Sequence, residues 1–169
     1  SSIDPDHLDV YGSESNFIDA FKIFASQVKE KVVIHSSIAG TFDYLQNIET
    51  YGLEDCSLTH YATGLSQTSS GSSFTLSLGN GKLVIPQVRV NLMGKHNLEN
   101  IVAAAALAYL AGTKKEIISS RINSFKGIYR RFQIHLNSEF KVYIDDYAHH
   151  PTELKKTIKA VRTHFPGKH

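Results

Sequence analysis

Apolar positions recur at helical spacing in some stretches of this chain and in alternation in others. Phe17, Ala20, Phe21, Phe24 and Val28 repeat at helical intervals, which predicts a helix with one apolar face. Ser13 or Ser15 stands where a cap is needed at its start. Lys31 to His35 (KVVIH) is a β-branched run ahead of SSIAG and predicts a buried strand. From Thr41 to Asn91 the rhythm shortens and predicts a β-rich stretch. Its clearest pieces are Ser73 to Leu78 (SFTLSL) and Lys82 to Val90 (KLVIPQVRV). They are joined by Gly79-Asn80-Gly81, residues that accept positive φ and so predict a hairpin. Thr63 to Ser73, rich in Ser, Thr and Gly, predicts a loop.

Helical spacing returns over Asn97 to Ala111, an alanine-rich segment stopped by Gly112. A second helix follows over Lys114 to Phe125, striped by Ile117, Ile118, Ile122 and Phe125, and Lys126-Gly127 breaks the chain after it. Phe132 to Leu136 and Lys141 to Ile144 (KVYI) predict strands, the second running into Asp145-Asp146. Pro151 opens a helix at the position where proline costs nothing, with Leu154, Ile158, Val161 and Phe165 as its inward face. Strand, polar turn and amphipathic helix form the first unit of an α/β domain. One such unit cannot bury both faces of its sheet, so the expectation is a segment cut from a longer protein.

Composition narrows the function classes. Apolar residues are 41 % and charged residues 20 % of the 169, which excludes a disordered tail, a collagen and a coiled coil. Lys+Arg number 18 against 16 Asp+Glu, and the cations are scattered, so no nucleic-acid partner is expected. The longest apolar run, Ile101 to Ala111, is about half the ~20 residues of a membrane span, so no membrane insertion is expected. The opening SSIDPDHLD has neither a basic nor an apolar leader region. With a lone Cys56 that cannot form an internal disulfide, the expected location is cytoplasmic.

Four constellations carry possible chemistry. Asp6-His7-x-Asp9 offers ligands for a divalent cation, or else a helix cap with a solvated imidazole. Gly94-Lys95-His96-Asn97-x-x-Asn100 places two amides on one face of a first helical turn, where donor and acceptor together match a purine edge. Its alternative is plain capping by Asn97. It is not a phosphate loop, because GxxxxGK[ST] occurs nowhere in the chain. Arg130-Arg131 could hold phosphate, or be a solvated linker pair. Asp145-Asp146-Tyr147-Ala148-His149-His150 sits between a strand's C-terminal end and a helix, where open α/β sheets place ligands. Metal binding, acid–base work and ribose recognition all fit that turn.

Taken together and in order, IDPDHLDVY, GKHNLENIVAAAA, FKGIYRRF and IDDYAHHPTE resemble the Mur ligases of peptidoglycan synthesis. The resemblance implies an α/β fold in two parts. Residues 1–126 are the later part of a central ATP-binding domain (P-loop-type α/β with a β-rich insert). Residues 127–169 are the first βα unit of a Rossmann-like C-terminal domain. It also implies roles. His7 helps to bind Mg²⁺. Asn97 and Asn100 contact adenine, with His96 beside them. Arg131 reaches the nucleotide, Asp146 holds the ribose of ATP, and Tyr147 and His149 lie near an incoming L-alanine. The implied reaction is that of an ATP-dependent ligase acting on UDP-N-acetylmuramate and L-alanine through an acyl phosphate. Tyr147 and Glu153 favour this branch over the one that recycles a tripeptide, where Phe and Ala are expected. Phe21 stands where some relatives carry a carbamylated lysine. The phosphate-cradling loop and the glutamate that shares the metal are absent from this sequence, so these residues by themselves are expected to be inactive. A non-catalytic nucleotide-binding module and a metallohydrolase built on the Asp145–His150 turn are the competing readings.

Overall fold

In the computed structural model, which describes residues 3–5, 8–68 and 70–167, the chain forms a five-stranded mixed sheet and a smaller strand–strand–helix unit. Helices α1 (Leu8–Tyr11) and α2 (Glu14–Ser26) lead into β1 (Val32–His35) and a 3₁₀ segment, Ser36–Phe42. Then come β2 (Ile48–Leu53), β3 (His60–Thr68), β4 (Gly71–Leu78) and β5 (Leu83–Val90), paired in the order β1-β2-β3-β4-β5. The first three strands are parallel, and β3, β4 and β5 form an antiparallel meander. Helices α3 (Lys95–Leu110) and α4 (Lys115–Ser124) follow. The antiparallel pair β6 (Gln133–Asn137) and β7 (Val142–Asp145) then precedes α5 (Pro151–His164).

Ser13 caps α2 by accepting the Asn16 N–H at 3.2 Å. The expected apolar face of α2 needs one correction. Phe17 and Ala25 are buried, whereas Phe24 is 68 % exposed. At 100° per residue the inward arc runs through Phe17, Phe21 and Ala25, and Phe24 falls on its outer edge. Gly79, Asn80 and Gly81 all take positive φ in the turn between β4 and β5, as the hairpin signal predicted.

The loop expected over Thr63 to Ser73 is instead a strand pair. β3 runs on to Thr68, and its pairing resumes at Ser66↔Ser73 after a register shift at Thr63/Ser66. Along this stretch of β3 the more covered positions are Leu65 and Gln67, a single apolar residue among polar ones, so the ladder forms without an apolar alternation to announce it.

α3 packs on the sheet, and its buried residues join those of the strands in the main core. Leu98, Val102 and Ala106 are fully buried against Tyr51, Ala62, Leu76 and Leu78 of the strands. Removing a leucine-sized side chain from water is worth about 1.5–3 kcal/mol, and the small alanines let the helix approach the sheet closely. The helix ends as predicted: Gly112 takes φ 76, its N–H reaches the Tyr109 carbonyl, and Thr113 N–H reaches that of Ala108.

Two further stripes are only partly inward. On α4, Ile118 is buried but Ile117 and Phe125 are exposed. On α5, Ala160, His164 and Phe165 just after the helix are buried, while Leu154 and Ile158 are 43 % and 49 % exposed. The helix turns its Ala160 side towards Met93 and Phe132, so of the expected inward face Val161 and Phe165 pack on this cluster while Leu154 and Ile158 do not. No helix among the described residues is long and apolar enough to cross a membrane.

Candidate functional site

A cavity of about 940 Å³ opens between the start of α3 and the strand–strand–helix unit. α3 contributes His96, Asn97, Glu99 and Asn100, and Ile101, Ala105, Ile118 and Ile122 form an apolar floor. Arg131, Asp146, Glu153 and Lys156 close the other side, and His35 and Ser37 lie at one end. An apolar chamber with a few converging polar groups is the usual form of a small-molecule site.

The α3 wall is set by backbone geometry. The helix begins at Gly94, φ 87, with no side-chain cap. Asn97 is therefore already inside the first turn, and its Nδ2 donates to the Met93 carbonyl at 2.7 Å. The capping alternative for Asn97 does not hold; the bond instead fixes the amide's direction. Asn100 lies one turn on, along the same wall. Burial pushes the His96 imidazole below its ordinary pKa. Asp146 opposes that shift, Lys156 adds to it, Glu99 opposes it and Arg131 adds to it.

The opposite wall is two turns laced together. Arg131 lies between two non-glycine residues in the left-handed region, Arg130 at φ 56 and Phe132 at φ 48. That conformation is uncommon and costs of order 1–3 kcal/mol per residue, so it persists only where its surroundings enforce it. The Asp145–Ala148 turn enforces it. Asp146 Oδ2 accepts the Phe132 N–H at 2.7 Å, and Oδ1 accepts the Ala148 N–H at 2.7 Å. Tyr147 N–H donates to the Arg130 carbonyl at 2.8 Å. Arg130 Nε lies 3.7 Å from Asp145 Oδ2. Both guanidinium groups lie over the Tyr147 ring, at 5.1 Å for Arg130 and 5.9 Å for Arg131. The result presents Arg131 to the cavity, with Glu153 Oε1 3.9 Å from its Nη1.

His96, Asn97, Asn100, Arg131 and Asp146 thus line one chamber although 50 residues separate the first from the last. Tyr147 and His149 stand beside it and are exposed. The His149 Nδ1–H donates to the Tyr147 carbonyl at 3.0 Å, and its backbone N–H donates to Glu153 Oε2 at 3.3 Å. His150 caps α5, its Nδ1 accepting the Thr152 N–H at 3.3 Å. The acids and imidazoles of this turn therefore face different partners. Among the described residues no group of three or more His, Cys, Asp or Glu is gathered to hold a metal. His7, the residue assigned to Mg²⁺, lies outside the described residues, as does Asp6.

Residue patterns missed His35. Its Nδ1 accepts the Ser37 N–H at 3.2 Å and its Nε2 faces Glu99 Oε1 at 3.6 Å. Its place at the C-terminal end of a parallel strand was the signal that could have found it. Lys156 was also missed, though it stands one helical turn after Glu153 and Thr152.

Known proteins resemble the chain in sequence and in fold. The family description "Mur ligase middle domain" matches residues 1–108, and "Mur ligase, glutamate ligase domain" matches residues 130–169. The UDP-N-acetylmuramate–L-alanine ligase of Porphyromonas gingivalis is 35 % identical over 173 aligned residues, covering 100 % of this chain and 38 % of that protein. The protein of the same name from Flavobacterium johnsoniae is 35 % identical over 99 % of this chain and 36 % of its own length. The chain therefore spans little more than a third of these curated relatives. The solved UDP-N-acetylmuramate-alanine ligase of Thermotoga maritima superposes with a TM-score of 0.73 at 23 % identity, over 93 % of this chain and 36 % of that one. The MurF ligase of the same organism, solved in complex with ADP, gives 0.75 at 17 % identity, over 98 % of this chain and 38 % of its own. At these identities the structural likeness is one of fold.

Proposed function

The chain belongs to the Mur ligase family, and from that premise we propose that it supplies the adenosine side of an ATP-dependent ligase joining L-alanine to the lactyl carboxylate of UDP-N-acetylmuramate. The observation that carries this reading is the convergence of Asn97, Asn100, Arg131 and Asp146 on one cavity with an apolar floor. The whole-chain likeness to proteins named UDP-N-acetylmuramate–L-alanine ligase supports L-alanine as the substrate in this reading.

In this reading the floor of Ile101, Ala105, Ile118 and Ile122 takes the purine faces, and the Asn97 and Asn100 amides read its polar edge. Each Asp146 oxygen already accepts one N–H and keeps a second lone pair for a ribose hydroxyl. Arg131 faces the phosphates with a fork suited to them. Tyr147 and His149, on the outer side of the same turn, are assigned to the incoming amino acid. ATP supplies a phosphoryl group to the lactyl carboxylate, ADP leaves, the alanine amine attacks the acyl carbon, and phosphate departs as the amide forms. The Mg²⁺ of such chemistry is assigned to His7. The described residues alone gather no group of three or more such ligands.

The division into a central part ending at Lys126 and a C-terminal part starting at Gly127 is supported by the gap between the two family matches. The cytoplasm is the assigned compartment, which the single free and exposed Cys56 suits.

Two measurements test the reading. ADP titrated into the chain should shift the side-chain amide resonances of Asn97 and Asn100 and the backbone resonances around Asp146. Shifts confined to other regions would sink the site assignment. In the ligase that carries these segments with a phosphate-cradling loop, ADP release should require UDP-N-acetylmuramate and L-alanine. Dependence on a tripeptide in place of L-alanine would move the protein to the recycling branch.

A further inference from the structure

His164 sits at the end of α5 and is only 5 % exposed. Its Nε2 accepts the Gly94 N–H at 3.3 Å, and its Nδ1 lies 3.1 Å from the Thr68 carbonyl. A carbonyl can only accept, so Nδ1 carries the proton and donates. The imidazole thus uses both nitrogens on backbone groups 70 and 96 residues away, one before α3 and one at the end of β3. A leucine would fill similar space but leave the buried Gly94 N–H without its acceptor and take the donor away from the part-buried Thr68 carbonyl, and stranding the buried group costs more than its bond returns.

Gly94 is the point at which α3 starts, and α5 closes on it directly. A Cβ built there would stand 3.3 Å from the Ala160 Cβ, one turn before His164, and 2.8 Å from the His96 ring. Met93, next to Gly94, is buried with Phe132, Ala160 and Phe165. Gly94 N–H is therefore the hydrogen-bonded point at which α5 is tied to the helix that presents His96, Asn97 and Asn100.

We propose that His164 is a positioning residue for the nucleotide: it sets the first turn of α3 against α5, and so fixes the spacing between the two polar walls of the cavity. This rests on reading the cavity as the adenosine site. His164 does not line the cavity. It acts through Gly94.

The test uses the 169-residue chain, its His164→Leu and His164→Gln variants, and ADP as the probe. Glutamine offers one acceptor and one donor, and leucine fills the space with neither. The wild-type chain should show a nitrogen–nitrogen coupling across the Gly94 N–H···Nε2 bond. In His164→Leu the amide resonances of residues 95–100 and the Asn97 side-chain amide should move, and ADP affinity should fall about tenfold. His164→Gln should recover affinity to within about threefold of wild type. Absence of the coupling, or unmoved α3 resonances and unchanged affinity in His164→Leu, would overturn the proposal. Should His164→Leu fail to fold, the wild-type coupling and the His164→Gln affinity decide it, and a Gln variant about tenfold or more weaker than wild type counts against it. The coupling in the wild-type chain, with the α3 shifts in His164→Leu but no ADP binding by the wild type, would leave the tie standing and remove the nucleotide reading alone.

Discussion

The Asp146 carboxylate accepts the backbone N–H of Phe132 at 2.7 Å, and Phe132 is held at φ 48 by that contact. Its other oxygen accepts the Ala148 N–H at the same distance. One side chain therefore spans two turns and keeps Arg131 between two left-handed neighbours. Asp146→Ala removes both acceptors at once. Hydrogen bonds to a charged group are worth about 1.5–3 kcal/mol each, so the variant should lose roughly 2–4 kcal/mol of unfolding free energy after solvent replaces part of the loss. Urea denaturation at neutral pH measures it. A loss below about 0.5 kcal/mol would mean that the turns hold without the carboxylate.

Asp146 and His149 lie on one turn but face different ways, Asp146 into the cavity and His149 outward beside Glu153. In the full ligase, Asp146→Ala should raise KM for ATP more than KM for L-alanine, and His149→Ala should do the reverse. Removing a single side chain's hydrogen bonds to a bound substrate changes affinity by about 3- to 100-fold. Steady-state kinetics with each substrate varied in turn gives the four values. Equal loss of ATP affinity in both variants would end the division of roles across this turn.

What could be read from residues alone was local. Asn97 and Asn100 share a face because three residues make most of a helical turn, and Asp146 lies where a strand gives way to a helix capped before Pro151. The lacing of the site was not readable. Arg130 and Phe132 carry no signature of positive φ, since neither is a residue that adopts it willingly. The β3–β4 pair was hidden because Ser and Thr on a solvated strand face look like a loop. The buried histidines were invisible for a different reason. His60 bonds Glu49 and Gly79, and His164 bonds Gly94 and Thr68, and in each case the partner stands far along the chain.

His60 gives a prediction outside the site. It is fully buried, its Nδ1 accepts the Gly79 N–H at 3.3 Å, and its Nε2 donates to Glu49 Oε2 at 2.7 Å. Lys31 Nζ stands 3.4 Å from the other oxygen of that carboxylate. The imidazole therefore ties β2, β3 and the β4–β5 turn together beneath Tyr109, whose ring lies 6.1 Å away. His60→Ala leaves a cavity and strands the Gly79 N–H, which should cost about 2–4 kcal/mol. Glu49→Gln keeps an acceptor for His60 and should cost about 1 kcal/mol or less. Thermal unfolding of the two variants side by side measures the ordering, and an equal or inverted pair of shifts would contradict the network.

His96 carries the pH prediction. Its folded pKa lies below the ordinary value of about 6.5 because burial disfavours the imidazolium, with Lys156 and Arg131 adding to the shift against Asp146 and Glu99. For a depressed histidine, the folded state binds fewer protons than the unfolded state between the two pKa values, so stability rises with pH there. The contribution of His96 is therefore complete above about pH 6.5 and is lost as pH falls through the lower folded value. The urea midpoint should drop between pH 7 and pH 5, and His96→Gln should make the drop shallower, since glutamine does not titrate. With 9 histidines in the chain, that difference between the two profiles, rather than either profile alone, isolates His96. Direct titration of the His96 ring resonance should give a midpoint below 6.5, and one above it would show that Asp146 and Glu99 outweigh burial.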